Sequence, residues 1–220
     1  MSEARRKAGD LARESIAAGD PTGWFETLYK QAAGDPSAIS WADLTPNPNL
    51  IAWLDRENVQ GNDRRALKIG CGLGDDAEEL SRRGFLVTAF DVSATAIDWC
   101  RARFPTTTVR YEIHDLLSPP GEWACGFDFV LESYTLQVLP PELRPRAIER
   151  IADYVGPGGD LLVIARGREP SDPRGTMPWP LLRDELAAFG RAGLDELRFE
   201  DFMDAETPPV RRFRVHYRRR

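Results

Sequence analysis

From residue 66 onward, apolar runs of four to six residues alternate with segments of helical periodicity. Few architectures accept that pattern. Short apolar runs separated by helices argue for a parallel sheet covered on both faces, because each crossover must bury its apolar stripe on the sheet. The runs at 66–70, 85–91, 108–115, 127–133 and 160–166 are expected strands, and 75–83, 94–104, 141–154 and 180–193 expected helices. Segments 197–202 and 213–218 supply a final pair of strands. Right-handed crossovers make this a doubly wound α/β fold. Ligands of such folds lie at the carboxyl ends of the strands, near the switch in strand order. The residues to inspect are therefore Gly70, Asp91, Asp115, Glu132 and Arg166.

The N-terminal third reads differently. Helices are expected over 3–18 and 22–33, each stopped by the same Ala-Ala-Gly-Asp-Pro sequence. A proline-bearing loop follows, then a helix over 49–58. The expected organisation is one domain, with residues 1–60 as a helical cap or lid and 61–220 as the core.

Composition excludes several classes. With 42% apolar residues and 220 positions, the chain buries a core without disulfide or metal staples. No apolar run approaches a membrane span, and the first residues lack the apolar stretch of a secretory signal. Net charge is −6, which disfavours nucleic acid as partner. The basic tail 211–220 alternates Phe213, Val215 and Tyr217 with arginines, which reads as a strand edge with arginine on its wet face. The ratio of 26 Arg to 3 Lys reads as the codon bias of a GC-rich, bacterial genome. Three scattered cysteines and two histidines form no metal-binding spacing, and fit a cytoplasmic protein without metal.

The loop after the first strand is Gly70-Cys71-Gly72-Leu73-Gly74-Asp75. The dinucleotide fingerprint is GxGxxG. Here the third glycine arrives one residue early, and Asp75 stands in its usual place. Asp75 and Asp76 at a helix N-terminus repel a diphosphate and suit a cationic or zwitterionic ligand. Asp91, 17 residues beyond Gly74, is placed to accept ribose hydroxyls. Asp115 is placed to accept from an adenine amino group, with Val92 and Leu116 as neighbouring contacts. The alternatives are a plain tight turn, a helix N-cap at Asp91 and a loop acid at Asp115. Taken together, the residues describe a site for a phosphate-free adenosine bearing a positive group, of which S-adenosylmethionine is one.

On these residues the sequence resembles the class I S-adenosylmethionine-dependent methyltransferases. The likeness runs through ALKIGCGLGDDAEEL, FLVTAFDVSATAI, Asp115, FDFVLESYTLQVLPPELR and VGPGGDLLVIA. It implies a Rossmann-like sheet of seven strands, six parallel and one antiparallel. It also implies S-adenosyl-L-methionine as cofactor and S-adenosyl-L-homocysteine as product. The family's usual acid in the first strand is replaced by Lys68. The thiopurine and thiol/halide branch also lacks that acid. It matches Asp76 after the glycine loop, Pro141-x-x-Arg144, and the order of GWFETLYK, SWADLTPNPNL and GTMPWPLLRDEL.

The resemblance implies cofactor contacts from Trp24 as a lid residue, Gly70, Cys71, Gly72, Gly74, Asp76, Asp91, Val92, Asp115, Leu116 and Glu132, the last on the methionine amino group or the acceptor. Trp41, Tyr134 and Trp179 are expected to wall the acceptor pocket, with Tyr134 nearest the chemistry. No general base stands out. The expected partner is a small-molecule acceptor, with no nucleic acid and no membrane, and a monomer or homodimer. The competing readings are a nicotinamide oxidoreductase and a binding protein without turnover.

Overall fold

The computed structural model describes residues 3–118 and 120–220. Two N-terminal helices, α1 (Glu3–Ala17) and α2 (Gly23–Ala32), are followed by α3 (Pro48–Arg56). The alternating core then runs β1 (Arg65–Ile69), α4 (Asp75–Arg82), β2 (Leu86–Asp91), α5 (Ala94–Arg103) and β3 (Arg110–Ile113). It continues through β4 (Phe127–Ser133), α6 (Arg144–Tyr154) and β5 (Val155–Arg166). The short helices α7 (Arg183–Leu186) and α8 (Ala188–Arg191) lead into β6 (Leu194–Met203) and β7 (Arg211–Arg219).

The seven strands form one sheet in the order β3-β2-β1-β4-β5-β7-β6. Strands β1 to β5 pair in parallel, while β7 is antiparallel to both β5 and β6. Six strands therefore share one direction and β7 opposes them, as the family likeness implies. Side chains alternate between two cores, because successive strand residues point to opposite faces. Ala66, Val87, Ala89, Phe129 and Leu131 meet α3, α4 and α5. Leu67, Ile69, Phe90, Val130, Leu161 and Val163 meet α6 and α8. A third cluster joins α1 and α2 to Leu73 and Ala96 of the sheet domain.

Three elements depart from the sequence expectation. Strand β5 begins at Val155 instead of 160, since Val155 pairs with Phe127 and Asp160 with Phe129, and the intervening glycine-rich stretch is absorbed as a register shift. The helix expected over 180–193 breaks in two. The Leu186 carbonyl accepts from Tyr217 Oη at 2.9 Å, and Gly190 N–H turns to the Ala187 carbonyl. The tail strand is no edge either. Strand β7 lies inside β6, and Arg212 and Arg214 are buried. Arg214 bonds Glu200 and the Asn49 carbonyl, and Arg212 bonds Asp204 and Glu206.

Candidate active site

A cleft of about 780 Å³ lies across the strand tips and is covered by the N-terminal helices. Its floor is the loop after β1. Gly70 and Gly72 have φ of +54° and +55°, the left-handed region that side chains resist. A Cβ on Gly70 would stand 2.5 Å from Thr135 Oγ1. Gly72 N–H donates to Asp91 Oδ2 at 2.9 Å, and Ser93 N–H donates to Oδ1 at 3.0 Å. Asp91 thus locks the loop to the tip of β2, while each oxygen keeps a lone pair for a ligand. Ser93, not Asp91, caps α5.

Beneath this loop lies a group of buried charges. Lys68 Nζ donates to the carbonyls of Ile69 at 2.8 Å and Gly70 at 3.3 Å, and stands 3.9 Å from Asp76. Asp76 also accepts from Asn47 N–H at 2.8 Å. Glu132 Oε1 accepts the N–H groups of Thr135 and Leu136 at 2.7 and 2.9 Å, and its Oε2 is buried with no partner. Burial raises all three carboxyls, Asp76, Asp91 and Glu132, against the opposing pull of Lys68 and backbone N–H groups. Glu132 is pushed up to about 7. Asp75 is different. Arg103 grips it at 2.8 and 2.9 Å, so its expected repulsion of a diphosphate is largely cancelled.

The two ends of the cleft have distinct chemistry. Toward β2 and β3 it is lined by Asp91, Val92, His114, Asp115 and Leu116. Asp115 turns one oxygen to Leu117 N–H at 2.8 Å. His114 packs edge-on to Trp123 and pairs with Glu112. Toward β4, β5 and β7 the lining is Tyr134, Arg166, Met177, Glu206 and Arg212. Tyr134 has φ of +66°, an uncommon conformation for an aromatic residue, and Arg212 stacks over its ring at 4.8 Å. Burial raises the Tyr134 phenol, so it remains protonated near neutral pH.

The cap is tied down by polar contacts. Glu26 accepts from Ser93 Oγ at 2.7 Å and from Thr95 at N and Oγ1, which docks α2 on the start of α5. Trp41 Nε1 donates to Tyr29 Oη at 3.1 Å, and both residues line the cleft. Asn47 spans three elements: its N–H bonds Asp76, its Nδ2 bonds Ser133, and its Oδ1 caps α3 at Asn49.

The cleft brings together Gly70, Cys71, Gly72, Asp76, Asp91, Val92, Asp115, Leu116, Trp41 and Tyr134 as expected. Four expected contacts are not in its wall. Trp24 is 1% exposed, stacked on Phe25 as the anchor of the cap. Gly74 sits under Tyr111 and begins α4. Glu132 folds inward to satisfy the turn after β4. Trp179 lies in the segment outside, where its N–H bonds the Gln137 carbonyl. Arg144, matched to the branch motif, is buried on Glu185 and the Leu139 carbonyl, away from the cleft lining. Tyr29, Asn47, Asn49 and Arg212 are not expected there, for α2, the start of α3 and strand β7 bring them in. Among the described residues, no group of three or more His, Cys, Asp or Glu is arranged to hold a metal ion.

Comparison with known proteins places the chain among methyltransferases by sequence and by fold. The methyltransferase-domain family matches residues 66–159. The ubiquinone biosynthesis O-methyltransferase of Chelativorans sp. is 31% identical over 191 residues, covering 76% of this chain and 67% of that protein. The tRNA N(3)-cytidine methyltransferase of Danio rerio is 27% identical over 113 residues, 47% of this chain. The chain spans only 32% of that longer relative. The fold is shared with the Burkholderia thailandensis 1,6-didemethyltoxoflavin-N1-methyltransferase, solved with its acceptor and S-adenosylhomocysteine. That structure superposes with a TM-score of 0.67 at 17% identity, over 87% of this chain and 90% of that one.

Proposed function

Because the chain belongs to the class I S-adenosylmethionine-dependent methyltransferases, we propose that it methylates a small-molecule nucleophile: a thiol, a thiopurine, or a related heteroaromatic or phenolic acceptor. We take residues 1–60 as the cap and 61–220 as the core of one working domain. The observation that carries the reading is the surplus of buried carboxyl over cation at the strand tips. Asp76, Asp91 and Glu132 are all raised by burial, and share a single buried lysine, Lys68.

The residues fit S-adenosylmethionine. Asp91 and Asp115 line the cleft with carboxylate oxygens, and Gly72 leaves open space that a side chain would narrow against Tyr29 and Trp41. A cationic ligand offsets the surplus charge and favours the ionised form of the acids against their burial. When bound, the cofactor supplies an electrophilic methyl group on a positive sulfur.

This chain's residues then bind and orient. Asp91 holds the ribose hydroxyls, and Asp115 with Leu116 holds the base. Lys68 keeps the loop carbonyls in place and limits how strongly Asp76 is disfavoured as an anion. Trp41 and Tyr29 keep water out from the cap side, which strengthens every electrostatic contact inside. Tyr134 positions the acceptor and does not take its proton, since its phenol is raised by burial. A thiol enters partly ionised near neutral pH and needs no base. Alignment of acceptor and methyl alone is worth on the order of 7–11 kcal/mol in favourable cases.

The test pairs two measurements. Calorimetry should give binding of S-adenosylhomocysteine and none of NADH. Transfer of labelled methyl should then be followed across thiols, phenols and nitrogen heteroaromatics. Binding of the dinucleotide alone would move the chain to the oxidoreductase reading. Tight cofactor binding with no transfer to any acceptor class would favour a binding protein.

A further inference from the structure

The acceptor end of the cleft holds an arginine whose guanidinium makes no hydrogen bond or salt bridge among the described residues. Arg166 closes β5 and is partly buried. Its backbone is fixed on both sides: its N–H donates to Gln137 Oε1 at 2.8 Å, and its carbonyl accepts from Leu181 N–H at 2.8 Å. Its guanidinium has no hydrogen bond and no carboxylate within ion-pairing range among the described residues, yet it lines the cleft.

The neighbouring charges do not supply that partner. Arg212 engages Asp204 at 2.5 Å and also Glu206, so both rim acids bond another guanidinium and Glu206 acts on Arg166 only at a distance. Burial and the positive charges of Arg5 and Arg212 pull Arg166 below its ordinary value, against the weaker opposing charge of Glu206. A guanidinium held that way is costly for the protein unless an anion arrives. Its five donors in a flat fork match a carboxylate best. The ring of Tyr134, held flat under Arg212, and the apolar Met177 and Pro178 complete the same end.

We infer that the methyl acceptor is an aromatic acid whose carboxylate is received by Arg166, with its ring against Tyr134. The inference rests on the methyltransferase reading for the word acceptor, but the anion site stands on its own geometry. Arg166 acts here as a specificity residue: it orders the substrate and leaves the methyl donor's end of the cleft untouched.

Benzoate and benzamide differ in charge and hardly in shape, and neither accepts a methyl readily. Their binding to the full-length protein, free and saturated with S-adenosylhomocysteine, is followed by ligand-observed NMR and calorimetry. Benzoate is expected to bind at least tenfold more tightly than benzamide. Arg166→Gln should erase that preference, Arg166→Lys should restore part of it, and both variants should keep the S-adenosylhomocysteine affinity of the parent within about threefold. Equal affinity for the two probes, or a benzoate preference that survives Arg166→Gln, would overturn the proposal. Loss of S-adenosylhomocysteine binding in the parent would instead defeat the methyltransferase reading. The benzoate comparison in the free protein would still decide the anion site.

Discussion

Glu132 offers the sharpest test of the buried charge beneath the glycine loop. Its carboxyl is 0% exposed and is pushed up from 4.5 to about 7 by burial, against the N–H groups of Leu136 and Thr135 and the charge of Lys68. The folded value lies above the unfolded one, so the folded protein holds a proton that the unfolded chain releases between pH 4.5 and about 7. Stability must fall across that window as pH rises, by about 1.4 kcal/mol per pH unit, and level off above it. The total is about 3 kcal/mol, the cost of ionising Glu132 inside the fold. Glu132→Gln copies the protonated form. It keeps an oxygen for the two N–H groups and puts a donor where the acid carries its hydroxyl.

Urea unfolding of parent and variant from pH 4.5 to 8.5 gives the comparison. The variant should gain on the parent as pH rises and end about 3 kcal/mol ahead at pH 8.5. That corresponds to roughly 6–12 °C in melting temperature for a chain of this size. Asp76 and Asp91 shift in the same direction but occur in both proteins, so the difference isolates Glu132. Parallel stability curves for the two proteins would refute the account of this buried carboxyl.

Three further outcomes are expected. Asp91→Ala leaves the N–H groups of Gly72 and Ser93 without acceptors, costing about 2–5 kcal/mol of stability and at least tenfold in S-adenosylhomocysteine affinity; unchanged affinity by calorimetry removes the ribose assignment. Gly70→Ala forces a side chain into positive φ and against Thr135, and should lower the unfolding free energy by about 1–3 kcal/mol; an unshifted urea midpoint argues against the strained turn. Removing residues 1–45 deletes Glu26, Tyr29 and Trp41 but no strand, so circular dichroism should keep the sheet while methyl transfer slows at least tenfold; normal turnover would dismiss the lid.

Much of the core was legible because periodicity reports burial directly. The runs ending at Ile69, Asp91 and Ser133 are strands, as expected, and the early third glycine does lie on the cleft floor's loop. Other features were not legible because they depend on what packs on a strand. Alternation in 211–219 is the same for an edge strand and for one flanked by β6, so the burial of Arg212 and Arg214 was missed. Trp24 and Trp41 look equivalent in sequence. The first fills the cap's interior and the second faces the cleft, a distinction fixed by the docking of α2 on α5. Glu132 was placed correctly at a strand end but turns inward, since the chain after it needs acceptors for two N–H groups. Arg166 was visible as a strand end. Its significance depends on the rim acids Asp204 and Glu206 bonding Arg212 instead.

The sheet order separates two inheritable parts. The proposed nucleoside end of the cleft is built from the tips of β1, β2 and β3, encoded before residue 118, whereas the opposite wall comes from β4, β5 and β7. On the proposed reading, mutation in the later half of the gene can redesign the chemistry of what is modified while the earlier half is left unchanged. Exchanging the stretch from Arg166 to Arg214 between relatives of this shape is the economical route to new acceptors.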